Sequence, residues 1–159
     1  MQQKDIPNNV PFTDLSLSLK DGRIIAIDPG TKRIGVAVSD ELRMTTRPLP
    51  RILRKSWKKL LLDVKNTIEH FDAKVLVVGL PLESDGGESE MTVEARRLAR
   101  NFALSLDIPV FLQDERVTSY EAKGRLWEQG HDLRETRELV DSEAAAIILS
   151  DFLDRLKSK

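Results

Sequence analysis

Three acidic residues close apolar runs at points where their side chains could act together. Asp28 ends the run "IIAID", and Asp114 with Glu115 ends the run "VFLQDE". A carboxylate resists burial unless a cation or hydrogen-bond donors compensate its charge. For Asp28 alone the alternative is a turn-forming residue, because Pro29 and Gly30 follow it. Taken together, the positions predict a site that gathers carboxylates at the ends of buried strands.

A fourth acid is predicted on the inward face of the last helix. Asp141 precedes three apolar residues by four, seven and eleven positions, which puts all four residues on one helical stripe. The three apolar residues are Ala145, Ile148 and Phe152. An acid on such a stripe is expected to pair with a basic residue or to bind a metal ion. We interpret Asp141 as part of the same site as Asp28.

Asp114 and Glu115 cannot both face that site. Successive side chains of a strand point to opposite faces of a sheet. One of the two is therefore expected to face the site, whereas the other forms a cap or a salt bridge. The sequence leaves open which residue does which.

Hard divalent cations suit a cluster of carboxylates. Mg²⁺ is bound by a few Asp or Glu oxygens and keeps waters that a substrate phosphate can displace, and we expect Mn²⁺ to substitute for it. Two such ions about 4 Å apart would stabilise the attacking and the leaving oxygen of a phosphodiester displacement. The chain has no cysteine and its two histidines, His70 and His131, are far apart, which argues against zinc. The predicted catalytic and metal-binding residues are Asp28, Asp114, Glu115 and Asp141.

A phosphodiester substrate calls for positive charge near these acids. From Arg43 to Lys59 the chain carries seven basic residues and no acidic one. The alternative for this stretch is an ordinary solvated helix face. Trp57 lies on an apolar stripe, so we predict that it belongs to the core and does not stack on bases. The predicted nucleic-acid-binding residues are Lys32, Arg33, Arg47 and Arg116.

The elements that must position these residues follow from the spacing of apolar side chains. Short apolar runs with period two or continuous β-branched content predict strands, and spacings of three and four predict helices. Pro48 and Pro50 restrict the third strand to an edge or a bulge. Ser56 is a predicted N-cap, and Thr118 with Glu121 forms a predicted capping box. The predicted strands are 23–28, 35–40, 45–52, 74–81 and 108–116, and the predicted helices are 57–71, 91–106, a short one from 118 to about 130, and 135–156.

This order, β-β-β-α-β-α-β-α, predicts an α/β fold. Its five-stranded mixed sheet combines an antiparallel meander with parallel strands and is flanked by helices. The 159 residues, 40% of them hydrophobic, suit a single domain, 23–159, behind a loosely ordered arm, 1–22. The formal net charge of −1 means that a polyanionic partner must be met by a local patch. Without cysteines, an export segment or an apolar run of about 20 residues, we expect a cytoplasmic protein with no membrane partner.

Four segments together resemble the YqgF/RuvX family of pre-16S rRNA nucleases, also described as Holliday junction resolvases. They are "IDPGTKRIGVAVSD", "VVGLPLESDGGES", "FLQDERVTS" and "VDSEAAAIIL", and the resemblance spans residues 23–155. It implies an RNase H-like fold and metal-dependent nuclease chemistry. It also implies that the acids of the family correspond to Asp28, Asp114 with Glu115, and Asp141. The implied partner is nucleic acid, either pre-rRNA or branched DNA.

Two other functions compete with a nuclease. The segment "DPGTKRIG" could be the phosphate-binding hairpin of an actin-like or sugar-kinase-like ATPase, but such enzymes close two lobes around the nucleotide and this chain suits one. The chain could also be an RNA-binding assembly factor with negligible turnover. A four-way DNA junction would favour a symmetric dimer, whereas processing of an RNA end would not require one. The sequence leaves the choice between monomer and homodimer open.

Overall fold

A computed structural model describes residue 11, residues 19–115 and residues 133–158, with the side chains of residues 133–139 and 141 excepted. Most of the predicted arm, 1–22, therefore lies outside the described residues. So do the predicted short helix that begins near Thr118, the residue Arg116, and His131. No helix among the described ranges is both long enough and apolar enough to span a bilayer.

A five-stranded mixed sheet forms the centre of the fold, in the spatial order β3-β2-β1-β4-β5. The first three strands pair antiparallel, and β4 and β5 add parallel to β1, which confirms the predicted meander and its parallel extension. The central strands are buried on both faces, as their continuous apolar sequence predicts. The strands are β1 (Ile24–Asp28), β2 (Arg33–Ser39), β3 (Thr46–Leu53), β4 (Val75–Pro81) and β5 (Val110–Glu115).

The proline-containing strand lies at the edge of the sheet and also carries a bulge. The register between β2 and β3 shifts between Ile34 and Val36. Proline has no N–H to donate, so an edge position and a bulge are where a strand tolerates Pro48 and Pro50. Both parts of the prediction for this strand are confirmed.

Three described helices cover the two faces of the sheet: α1 (Trp57–Phe71), α2 (Glu90–Ser105) and α3 (Leu133–Lys157). Helix α1 begins after Ser56, whose side chain accepts a hydrogen bond from the backbone N–H of Lys59, as predicted. Helix α2 begins after Ser89, which forms a capping box with Thr92. Sequence patterns did not reveal this capping box, in which Thr92 stands where Glu or Gln is usual.

The strand alternation separates the core into two layers. Ile25 and Ile27 of β1 face α1 and α2, and Ile24 and Ala26 face α3. The stripe Ala145, Ile148 and Phe152 of α3 packs in the second layer, which confirms that this stripe faces the sheet.

The prediction that Trp57 is a core residue is wrong. Its side chain is 36% exposed, although the ring contacts the buried ring of Phe102 at 4.9 Å between centroids. The apolar stripe of α1 reaches the core at Leu60 and Val64, whereas Trp57 is the first residue of the helix and keeps a solvent-facing side. Helical spacing alone does not reveal where a stripe leaves the core.

Candidate functional site

The carboxyl ends of β1, β4 and β5 lie at one end of the sheet. Ile27 of β1 pairs with Val78 of β4, and the next residue of β4, Gly79, pairs with Gln113 of β5. Asp28 follows Ile27, so it ends β1 next to Gly79. Two residues further along β5, Glu115 pairs with Pro81, the last residue of β4. Functional groups of open α/β sheets gather at such carboxyl ends.

Asp28 and Glu115 belong to the same face of the sheet. Alternate side chains of a strand point to the same face, so Asp28 faces the same way as Ala26 and Ile24, whose side chains pack under α3. Glu115 shares its parity with Phe111, which packs in the same layer, and its Oε2 atom is buried. Both acids are therefore on the α3 side.

Asp114 belongs to the opposite face. It shares its parity with Val110 and Leu112, which pack under α1 and α2, and its own side chain is exposed. The sequence showed only that the two acids face opposite ways, whereas the two packing layers show which face each one is on. Of the two acids, Glu115 is the one on the face that carries Asp28.

Helix α3 is held against the sheet close to the end of β1. The hydroxyl of Ser142 accepts a hydrogen bond from the backbone N–H of Val36 at 3.2 Å, and Val36 pairs with Ile27. Further along the helix, Ile148 lies over Gly79. A Cβ atom on Gly79 would be 2.5 Å from Ile148 Cδ1, so the absence of a side chain permits this close approach.

The far end of α3 is tied to β5. Arg155 Nη1 donates to Gln113 Oε1 at 2.6 Å, two residues before Glu115. Sequence reasoning missed Gln113 and Ser142, which carry no motif. A glycine within the β-branched run of β4 was a usable signal of close packing at Gly79.

Asp141 lies in α3 directly before Ser142, but its side chain is not among those described. Among the described residues, no group of three or more His, Cys, Asp or Glu side chains is arranged to hold a metal ion. The predicted set of acids includes Asp141, whose side chain is outside the described ones. Asp28 and Glu115 supply hard oxygen donors on one face, which is the donor type that Mg²⁺ prefers.

The turn between β1 and β2 is braced by an arginine from the end of β3. Arg54 Nη1 donates to the carbonyl oxygen of Gly30 at 3.1 Å, and its backbone N–H donates to that of Lys32 at 2.8 Å. Arg54 Nη2 is 2.6 Å from Glu94 Oε1 on α2. Hydrogen bonds from Arg97 and Arg54 lower the pKa of the Glu94 carboxyl to about 2. Sequence reasoning counted Arg54 only as one charge of the basic stretch.

The structure separates the basic residues by what they contact. Lys32, in the turn after Asp28, and Arg33, the first residue of β2, are exposed and form no ion pair among the described residues. Arg47 is at the other end of β1, because it pairs with Val38, and its guanidinium lies 5.6 Å from the centre of the Phe71 ring. The structure thus places Lys32 and Arg33, but not Arg47, at the end of the sheet that carries Asp28.

Comparison with known families matches most of this chain to one family. The family model RuvX, described as Holliday junction resolvase, matches residues 22–155. A protein from Anaeromyxobacter sp. (strain Fw109-5), named "Putative pre-16S rRNA nuclease", is 40% identical over 132 residues, covering 83% of this chain and 96% of the relative. A protein of the same name from Koribacter versatilis (strain Ellin345) is 41% identical over 134 residues, covering 84% and 88%.

Solved structures of resolvases share the fold. RuvC of T. thermophilus in complex with a Holliday junction substrate matches with a TM-score of 0.52 and 15% identity, covering 84% of this chain and 96% of that one. Fowlpox virus resolvase in complex with Holliday junction DNA matches with a TM-score of 0.53 and 13% identity, covering 84% and 98%. At these identities the likeness concerns the fold alone, and it confirms the expected RNase H-like architecture.

Proposed function

Because this chain belongs to the RuvX family, we propose that it is a metal-dependent nuclease of structured nucleic acid, acting on the 5′ end of pre-16S rRNA. The observation that carries the proposal is the placement of Asp28 and Glu115 on one face at the carboxyl end of the sheet. The names of the relatives support the RNA substrate. We place this activity in one cytoplasmic domain, 23–159.

Asp28, Glu115 and Asp141 are the residues that we propose hold Mg²⁺. Asp114 is left out of the metal set because it belongs to the opposite face. When bound, the metal supplies a Lewis acid that polarises the phosphodiester and lowers the pKa of a water molecule. Carboxylates that share one face repel each other, so the same residues disfavour a metal-free site.

The turn after Asp28 is proposed to bind the substrate backbone. Lys32 in this turn and Arg33 directly after it present two exposed cations, and phosphate groups are the main target of such side chains. Arg54 holds the turn through the carbonyl oxygens of Gly30 and Lys32, so it positions these cations without needing to touch substrate. Hydrolysis then breaks one P–O bond of the backbone and adds water across it.

Resolution of Holliday junctions is the second candidate. The description of the matching family favours it, and the same acids would serve DNA as well as RNA. A four-way junction needs two cuts related by symmetry, so this function would require a dimer that places two sites together. An assembly factor that binds RNA without cutting it is the third candidate.

The first experiment is cleavage of two labelled substrates with Mg²⁺ or Mn²⁺. One is a precursor 16S rRNA fragment and the other is a four-way DNA junction, each tested beside an Asp28→Asn protein purified identically. Cleavage of the RNA by the wild type alone supports the proposal, and cleavage of the junction alone supports resolution. If neither is cut but RNA is bound, the assembly-factor function takes precedence. Equal cutting by the variant would point to a contaminant.

A further inference from the structure

Trp57 is an aromatic ring held in place with one side open to solvent. It is the sole aromatic residue among the large exposed hydrophobic side chains of the described chain. Its ring meets the fully buried Phe102 at 4.9 Å between centroids, with the two planes tilted by 59°. Because this contact fixes the ring, a further partner could stack on it at a low cost in side-chain entropy.

Two lysines lie close to Trp57 in the sequence, one on either side of it. Lys55 and Lys58 are exposed, and neither forms an ion pair with any described residue. Other basic residues of the stretch have partners: Arg43 binds the Gly22 carbonyl, and Lys59 Nζ is 2.6 Å from Asp63 Oδ1. The first turn of α1 contains no acid. The surface formed by Lys55, Trp57 and Lys58 therefore combines a ring with uncompensated positive charge.

This surface continues from the turn that follows Asp28. Arg54 immediately precedes Lys55, and its backbone N–H donates to the Lys32 carbonyl. Trp57 follows three residues later, which is at most about 11 Å of extended chain. A strand of nucleic acid that passes Lys32 thus needs to extend by only a few nucleotides to reach Trp57.

Resting on the nuclease function proposed above, we propose that Lys55, Trp57 and Lys58 bind a single-stranded segment of the substrate that flanks the cleaved phosphate. The lysines contact its phosphates and Trp57 stacks on an unpaired base. The ring requires a base whose face is free, which a paired duplex does not offer within a stem. The substrate class is therefore a structured nucleic acid with a single-stranded flank.

The test measures binding to two probes, a ten-nucleotide oligouridylate and a blunt RNA duplex of equal length. The protein carries Asp28→Asn throughout, so that cleavage does not change the probes. Trp57→Leu keeps apolar packing on Phe102 but removes the aromatic face. We expect it to weaken oligouridylate binding about five- to tenfold and to leave duplex binding unchanged, whereas Trp57→Phe restores most of the loss.

The lysines are tested by the dependence of affinity on salt. For single strands, each lost phosphate contact is expected to reduce the slope of log K against log salt by about 0.7. Replacing Lys55 and Lys58 with alanine should thus lower the slope by about 1.4. Lys65→Ala is the matched control, because Lys65 is exposed on the same helix two turns further on and should leave the slope unchanged.

The outcomes separate this inference from the nuclease function. If Trp57→Leu weakens both probes equally, or neither, the single-strand surface is refuted whatever the wild type cleaves. If the wild type cleaves neither RNA nor junction but the probe-specific losses occur, the surface stands and the nuclease function fails. If Lys65→Ala lowers the salt slope as much as the replacement of Lys55 and Lys58 does, the effect is one of overall charge and the inference is overturned.

Discussion

The hydroxyl oxygen of Ser142 on α3 accepts a hydrogen bond from the backbone N–H of Val36 on β2, at 3.2 Å. Val36 is where the register between β2 and β3 shifts, and it pairs with Ile27, the residue before Asp28. Ser142 itself follows Asp141. This hydrogen bond therefore holds the part of α3 that carries Asp141 against β2, the strand that pairs with the end of β1 at Asp28.

We expect Ser142→Ala to destabilise the protein by about 1 to 3 kcal/mol, because it removes the acceptor of a buried N–H. Activity should fall further than the unfolded fraction explains, since α3 then loses its anchor beside Asp28. Urea unfolding and cleavage assays measure the two effects. The control is Ser150→Ala, an exposed serine of the same helix, for which both quantities should stay near the wild-type values.

Glu115→Gln should reduce kcat at least about a hundredfold, because it removes a carboxylate from the face of Asp28. Asp114→Asn makes the matching change on the opposite face and should alter kcat by less than about threefold. Isothermal titration with Mg²⁺ should show the same contrast. Equal losses of kcat in the two variants would mean that the face of the sheet on which an acid lies does not decide whether it binds the metal.

Asp28→Asn should abolish cleavage and weaken Mg²⁺ binding while leaving the metal-free melting temperature equal or higher. The amide keeps the shape of the side chain and removes one negative charge from a face that carries several acids. Thermal unfolding in EDTA, followed by circular dichroism, provides the measurement. A fall of many degrees would instead identify Asp28 as a structural residue of the turn.

Gly79→Ala should destabilise the fold by about 1 to 3 kcal/mol, because the new Cβ meets Ile148 Cδ1 in a filled core. Ile148→Val removes that Cδ1 atom and should recover part of the loss in the double variant. The four proteins of this cycle are compared by urea unfolding. Strictly additive losses would show that the close approach of helix and strand is not the cause.

The Glu94 carboxyl should make stability depend on pH in the acid range. Its pKa is lowered from 4.5 to about 2, so its contribution is fully present above about pH 4.5 and is lost as the pH falls through 2. After screening we expect this contribution to be about 1 kcal/mol, a shift of a few degrees in Tm. Glu94→Gln should lower Tm at pH 7 and flatten the profile between pH 4.5 and 2. Glu83→Gln, an exposed acid of the loop before α2, should change neither.

The fold could be predicted from the sequence because its elements have strong local patterns. The β-branched run of β4 and the prolines of β3 predicted a buried strand and an edge strand, and the apolar spacing of α1 predicted a helix; all three elements were confirmed. Boundaries shifted by one or two residues in either direction, because hydrogen bonding and not apolar content sets where an element ends. Strand β2, for example, begins at Arg33, two residues before the predicted Gly35.

Features that depend on tertiary packing were not readable. Alternation required Asp114 and Glu115 to face opposite ways, but only the layer beneath α3 shows which one joins Asp28. The exposure of Trp57 depends on how far α1 overhangs the core, which helical periodicity does not encode. The partners of Arg54 lie in the turn between β1 and β2 and in α2, and they share no sequence pattern.

The prolines of β3 also limit how two copies of the chain can meet. A neighbouring strand that added to this edge would need N–H donors in register, and Pro48 and Pro50 supply none. Extension of the sheet from copy to copy is thereby discouraged at β3. A homodimer able to cut two strands of a junction would therefore associate through a surface other than the β3 edge.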